Sequence, residues 1–86
     1  MRTVQLSPAE IAVVDRQDAS SGQDGGWQAL LVRLQGKIDR TTGILVLDAR
    51  DLEQIPRYAF DYGNGGWETR FREIFERTLG PNLGRP

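Results

Sequence analysis

Apolar residues fall into short groups along the chain, and their spacing sets the elements. From Trp27, the residues Leu30, Leu31, Leu34 and Ile38 recur at helical intervals, and from Trp67 so do Phe71, Ile74, Phe75 and Leu79. Both runs predict amphipathic helices. Two further helices announce themselves by their starts. Ser7 is followed by Pro8 at the first helical position and Glu10 at the third, and Asp48 is followed by Asp51 at the third. Each is a capping box, in which the cap's side chain accepts the N–H of the third residue and the acid there accepts the cap's own N–H. Leu6 with Ile11, and Leu47 with Leu52, bracket these boxes as hydrophobic staples. Just upstream lie two extended stretches, Thr3–Leu6 and Gly43–Leu47, whose aliphatic and β-branched content favours strands. A two-stranded ribbon is marginal in water unless it packs on something, so the two stretches are expected to pair with each other and rest on the helices.

The order strand, helix, helix therefore occurs twice. Leu6–Ile11 aligns with Leu47–Leu52 at an offset of 41, and Gly25-Gly26-Trp27 aligns with Gly65-Gly66-Trp67 at an offset of 40. The expected fold is a helix-dominated α+β domain over residues 1–80, with four helices and a short two-stranded β ribbon, built from two similar βαα halves at about 3–40 and 44–80. Asp24 and Asn64 are the expected caps of the second and fourth helices. Pro56 removes a backbone donor and disfavours helical geometry at Ile55, which predicts a kinked third helix or two shorter ones. Gly80-Pro81 stops the last helix and leaves residues 81–86 as a flexible tail.

With 86 residues, 38% apolar and 27% charged, the chain has material for one modest core. Cysteine and histidine are both absent from it. That excludes disulfides, thiolate metal sites, a cysteine nucleophile and imidazole acid–base chemistry, and leaves proton transfer to carboxylates, Lys37 or tyrosines. Eleven basic against twelve acidic residues give a net charge of −1, without the positive field typical of nucleic-acid binders. No apolar run approaches the ~18 residues of a membrane span, and Met1–Gln5 does not open a signal peptide, so a cytoplasmic protein without membrane attachment is expected.

Candidate chemistry narrows further. The glycines before each tryptophan match neither a Walker loop nor a dinucleotide-binding fingerprint. The acidic stretch at Asp15, Asp18 and Asp24 lacks the ligand spacing of a calcium loop. Glu68 with Arg72, and Glu73 with Arg77, have the i, i+4 order that supports an exposed helix, so the available carboxylates are read as structural. No enzymatic activity, metal or cofactor is expected. Arg33, Lys37 and Arg40 form a small basic stripe on the second helix and just beyond it, with no acid four residues upstream of any. Cations at a helix C-terminus complement its dipole, and the same residues supply the alternative reading, a weak nucleic-acid-binding protein.

The aromatic residues carry the main functional expectation. Six of the seven lie between residues 58 and 75. At ~100° per residue, Leu52, Ile55, Ala59 and Tyr62 share a helix face, Tyr58 sits at its edge and Phe60 points elsewhere. The rings either complete the core or leave a surplus on the surface. Tyrosine beside arginine near a glycine-rich corner has the composition of interface hot spots, which makes Arg57, Tyr58, Phe60 and Tyr62 the expected partner-binding residues, with Trp67 anchoring the helix behind them. The expected partner is another protein, with self-association through the same corner as a further alternative.

The run Ile55–Gly63, with Gly65-Gly66-Trp67-Glu68 and the ending Arg77–Gly80, resembles a set of short bacterial proteins without assigned activity, some of them carried by mobile elements. The resemblance covers most of the chain. It implies an accessory protein of a bacterium or phage, and no cofactor or catalytic residue comes with it.

Overall fold

Both capping boxes form as the sequence dictates. Ser7 Oγ accepts the Glu10 N–H at 3.2 Å and Glu10 Oε1 accepts the Ser7 N–H at 2.7 Å. Asp48 Oδ1 accepts the Asp51 N–H at 2.9 Å and Asp51 Oδ2 accepts the Asp48 N–H at 3.1 Å. These boxes start the first helix of each half. In the computed structural model, which describes residues 1–23, 25–61 and 66–85, the order is β1 (Arg2–Gln5), α1 (Pro8–Asp15), a short 3-10 helix (Ala19–Gln23), α2 (Gly26–Lys37), β2 (Ile44–Leu47), α3 (Ala49–Phe60) and α4 (Gly66–Leu79). The protein is a helix-dominated α+β domain of four α-helices and one two-stranded antiparallel sheet.

The strands pair across the repeat, Arg2 opposite Leu47 and Val4 opposite Leu45. Leu6 N–H then donates to the Gly43 carbonyl at 2.9 Å, carrying the pairing one step past the ribbon. Val4 and Leu45 are also each other's counterparts at the offset of 41. The ribbon therefore has an approximate local twofold axis through that pair, which exchanges its two strands. The helices pack both within and across the halves: α3 lies along α4 and α1 along α2, while α1 also meets α4 and α2 meets α3, so the apolar stripes share one core. Leu31, Leu34, Leu45, Leu47, Ile55, Phe71, Ile74 and Phe75 are fully buried and form the centre of the core.

Three local expectations change. Pro56 does not divide α3, which runs unbroken from Ala49 to Phe60. Ile55, Pro56 and Ala59 are all buried, and this tertiary burial outweighs the single hydrogen bond a proline removes. The cap position of α2 is taken by Gly25, at φ +81° with no side-chain cap, while Asp24 and Asn64 lie outside the described residues. The chain after Gly80, read from sequence as a tail, folds back onto the body. Gly80 reverses the chain at φ +94°, Leu83 is fully buried, and Arg85 forks onto Asp61 at 2.8 and 2.9 Å. The apolar side chain of Leu83 supplies the anchor. Among the described residues no helix is long and apolar enough to cross a membrane.

Candidate functional site

The last turn of α3 brings Arg57, Tyr58 and Phe60 to one end of the molecule. Tyr62 lies outside the described residues, as does the side chain of Trp67. Arg57 is exposed and its Nη1 donates to Glu53 Oε1 at 3.3 Å, one turn back. Tyr58 and Phe60 are half-buried, resting on the outside of a core that Phe71 and Phe75 complete from α4. Tyr58 reaches the start of α2, where a Cβ at Gly26 would stand 3.9 Å from its Cε1. Phe60 carries two guanidinium groups near its ring, Arg72 at 5.1 Å and Arg85 at 5.8 Å from the centroid. Its quadrupole holds both cations at the surface. Arg85 in turn hydrogen-bonds Asp61 and keeps that carboxyl below the ordinary aspartate range. The result is a patch of ring edges and cations at the C-terminal end of α3.

The basic stripe has a different fate. Arg33 donates to Asp51 through Nη2 at 2.6 Å and Nε at 3.1 Å, and to Gln54 Oε1 at 2.9 Å. Lys37 bridges Asp51 and Asp48, the latter at 3.3 Å, and Arg40 forks onto Asp15 at 2.7 and 3.0 Å. All three cations are thus paired with acids from other elements. These acids lie 11 to 25 positions away, beyond the i, i+4 spacing at which a single helix reveals its ion pairs in sequence. The same limit explains Arg77, which passes over Glu73 for Glu10 at 2.8 Å and the Gln5 carbonyl at 2.6 Å, while Glu73 takes Arg16 at 3.0 Å. Glu68 and Arg72 do pair as expected, at 3.1 Å.

Asp51 is the electrostatic centre of this arrangement, with its side chain fully buried. Burial alone raises a carboxyl's pKa, but hydrogen bonds from Lys37, Arg33 and the Asp48 N–H prevail, and Asp51 stays below the ordinary value. Glu10 shows the same balance, with burial opposed by Arg77 and the Ser7 N–H. A carboxyl lowered in the folded state stabilises the fold fully above its unfolded pKa of ~4, and that contribution is lost as pH falls through the folded value. The thermal midpoint is accordingly expected to stay level from pH 7 to about pH 5 and to fall steeply below about pH 4. Calorimetry across that range checks it, and a midpoint still level at pH 3 would refute it.

One feature was missed in sequence. Ile44 and Val46 are 39% and 41% exposed on the outer face of β2. The signal was present in Ile44-Leu45-Val46-Leu47, because a strand covered on one side must turn alternate residues of an unbroken apolar run outward. Among the described residues, no group of three or more acidic side chains gathers as a metal ion requires. Comparison of the chain with protein-family models, curated proteins and solved structures found no significant match.

Proposed function

We propose that the protein is a small non-enzymatic accessory module, of a bacterium or its mobile elements, that binds another protein through the C-terminal end of α3. The observation that carries this reading is the half-burial of Tyr58 and Phe60 on the outside of an already filled core, beside exposed Arg57. A partner covering these rings removes apolar area from water at about 25 cal/mol per Å². It also shields the Phe60 cations from solvent, which strengthens their attraction to the ring. Arg57 offers a directional charged donor at the rim. The alternative of nucleic-acid binding through Arg33, Lys37 and Arg40 draws less support, since each of these cations already faces a carboxylate.

The test compares the wild-type chain with a Tyr58→Ala/Phe60→Ala double variant as bait in the native host. The variant is expected to keep its helical circular dichroism at 25 °C and to lose the captured partner by at least tenfold. Undiminished capture would remove α3 from the interface, and an unfolded variant would show that the rings belong to the core. A gel shift of generic DNA and RNA at ~50 mM salt is expected to show no complex.

A further inference from the structure

A groove of about 440 Å³ opens where β1 runs into α1, between the turn before β2 and the last turns of α4. That volume lies in the range of small-ligand sites, about 300–1,000 Å³. Leu6, Pro8 and Ile11 are its apolar lining residues, Thr41 and Thr42 line it beside them, and Arg40 and Arg77 are the charged residues among the described lining. Their counter-ions stand outside the lining. Asp15 holds Arg40 through Nη1 and Nη2, and Glu10 holds Arg77 through Nε and Nη2. Among the described residues, Arg40 Nε and Arg77 Nη1 have no hydrogen-bond acceptor. Among the described residues the groove is therefore lined by two arginines, each braced by a carboxylate, and by no acid.

The other half of the molecule shows what such a place accepts. Arg77 corresponds to Lys37 at the offset of 40, and each binds the acid at the third position of the opposite half's first helix, Glu10 for Arg77 and Asp51 for Lys37. Lys37 also holds a second carboxylate, the cap residue Asp48, at 3.3 Å. The counterpart of Asp48 is Ser7, which caps its helix equally well but carries no charge. One cation thus has a carboxylate at the helix cap, and its counterpart has a hydroxyl there and an open groove in front.

We infer that this groove binds an external carboxylate attached to a short aliphatic group, the anion between Arg77 and Arg40 and the aliphatic part on Pro8 and Ile11. The planar fork of arginine matches a carboxylate, and the apolar wall distinguishes such an acid from a bare anion. Either a free small acid or the C-terminal residue of a peptide supplies this chemistry. The site is separate from the end of α3, none of whose described residues line it.

The test is a ¹H–¹⁵N NMR titration of the full chain. N-acetyl-leucine is expected to shift the amides of Leu6, Thr42 and Gly43 saturably, with a dissociation constant on the order of millimolar for so small a probe, and N-acetyl-leucinamide to shift none. An N-acetylated tripeptide ending in a free leucine carboxylate separates the sources: tenfold tighter binding than N-acetyl-leucine marks a peptide terminus, equal binding a free acid. Ser7→Asp preserves the cap and places a carboxylate where Asp48 has one. It is expected to keep the unfolding midpoint and weaken binding at least tenfold, while the Tyr58→Ala/Phe60→Ala variant binds as wild type does. The inference is overturned if the amide binds as well as the acid, if Ser7→Asp binds unchanged, if inorganic phosphate matches N-acetyl-leucine at the same amides, or if no shifts appear by ~50 mM.

Discussion

Asp51→Ala is expected to cost about 3 kcal/mol and to lower the thermal midpoint of this 86-residue chain by roughly 12–24 °C. The side chain is fully buried and serves three partners on two elements at once. It accepts the Asp48 N–H that closes the capping box of α3, and it neutralises Arg33 and Lys37 from α2. Alanine leaves that N–H without its acceptor and brings two cations together without their shared anion. The cations keep 27% and 30% of their side-chain surface exposed and can turn partly to water, which holds the loss at the lower end of the range for broken buried pairs. Glu10→Ala makes the matched comparison in the other half. Its partner Arg77 is 59% exposed and is readily hydrated, so a smaller fall is expected. Thermal unfolding followed by circular dichroism reads both variants, and a larger fall for Glu10→Ala would refute the argument.

Gly43→Ala is expected to destabilise by about 2–4 kcal/mol. Gly43 has φ +80°, and a Cβ there would stand 2.5 Å from the Leu6 carbonyl oxygen, a backbone atom in the neighbouring strand connection. The position is fixed from both sides, since the Gly43 carbonyl accepts the Leu6 N–H at 2.9 Å and its own N–H donates to the Asp39 carbonyl at 2.6 Å. The clash cannot relax without opening the turn that joins the halves. Gly36→Ala supplies the contrast, because Gly36 lies within α2 with nothing within 4 Å of its added Cβ. That change is expected to stabilise by about 0.5–1 kcal/mol. Urea midpoints moving in opposite directions with unchanged slopes are the expected result, and a stable Gly43→Ala chain would contradict it.

What the sequence disclosed and what it concealed divide along a physical line. Ser7 with Glu10, and Asp48 with Asp51, were legible because each box is a local hydrogen-bond exchange over three residues. The pairing of the strands followed from the impossibility of either standing alone. The unbroken path of α3 through Pro56 was not legible, since burial of Ile55, Pro56 and Ala59 against other elements settles it. The fate of Arg33, Lys37 and Arg40 was hidden for the same reason, their partners being distant in the chain. At the aromatic end, helical arithmetic set Phe60 apart from the Ile55 face, and the structure leaves it half-buried under Arg72 and Arg85. Neither arginine was recognisable as its neighbour, because Arg72 belongs to the next helix and Arg85 arrives only when Leu83 folds the chain end inward.

The repeat, with its strands paired about Val4 and Leu45, has a consequence for how this molecule can change. Two identical subunits arranged in this way would be obliged to carry the same residue at both members of every related pair, so any improvement on one side would be imposed on the other. Covalent joining lifts that obligation. Ser7 can differ from Asp48, and Arg77 from Lys37, which lets one corner seal itself with its own acid while its twin stays free to meet something new.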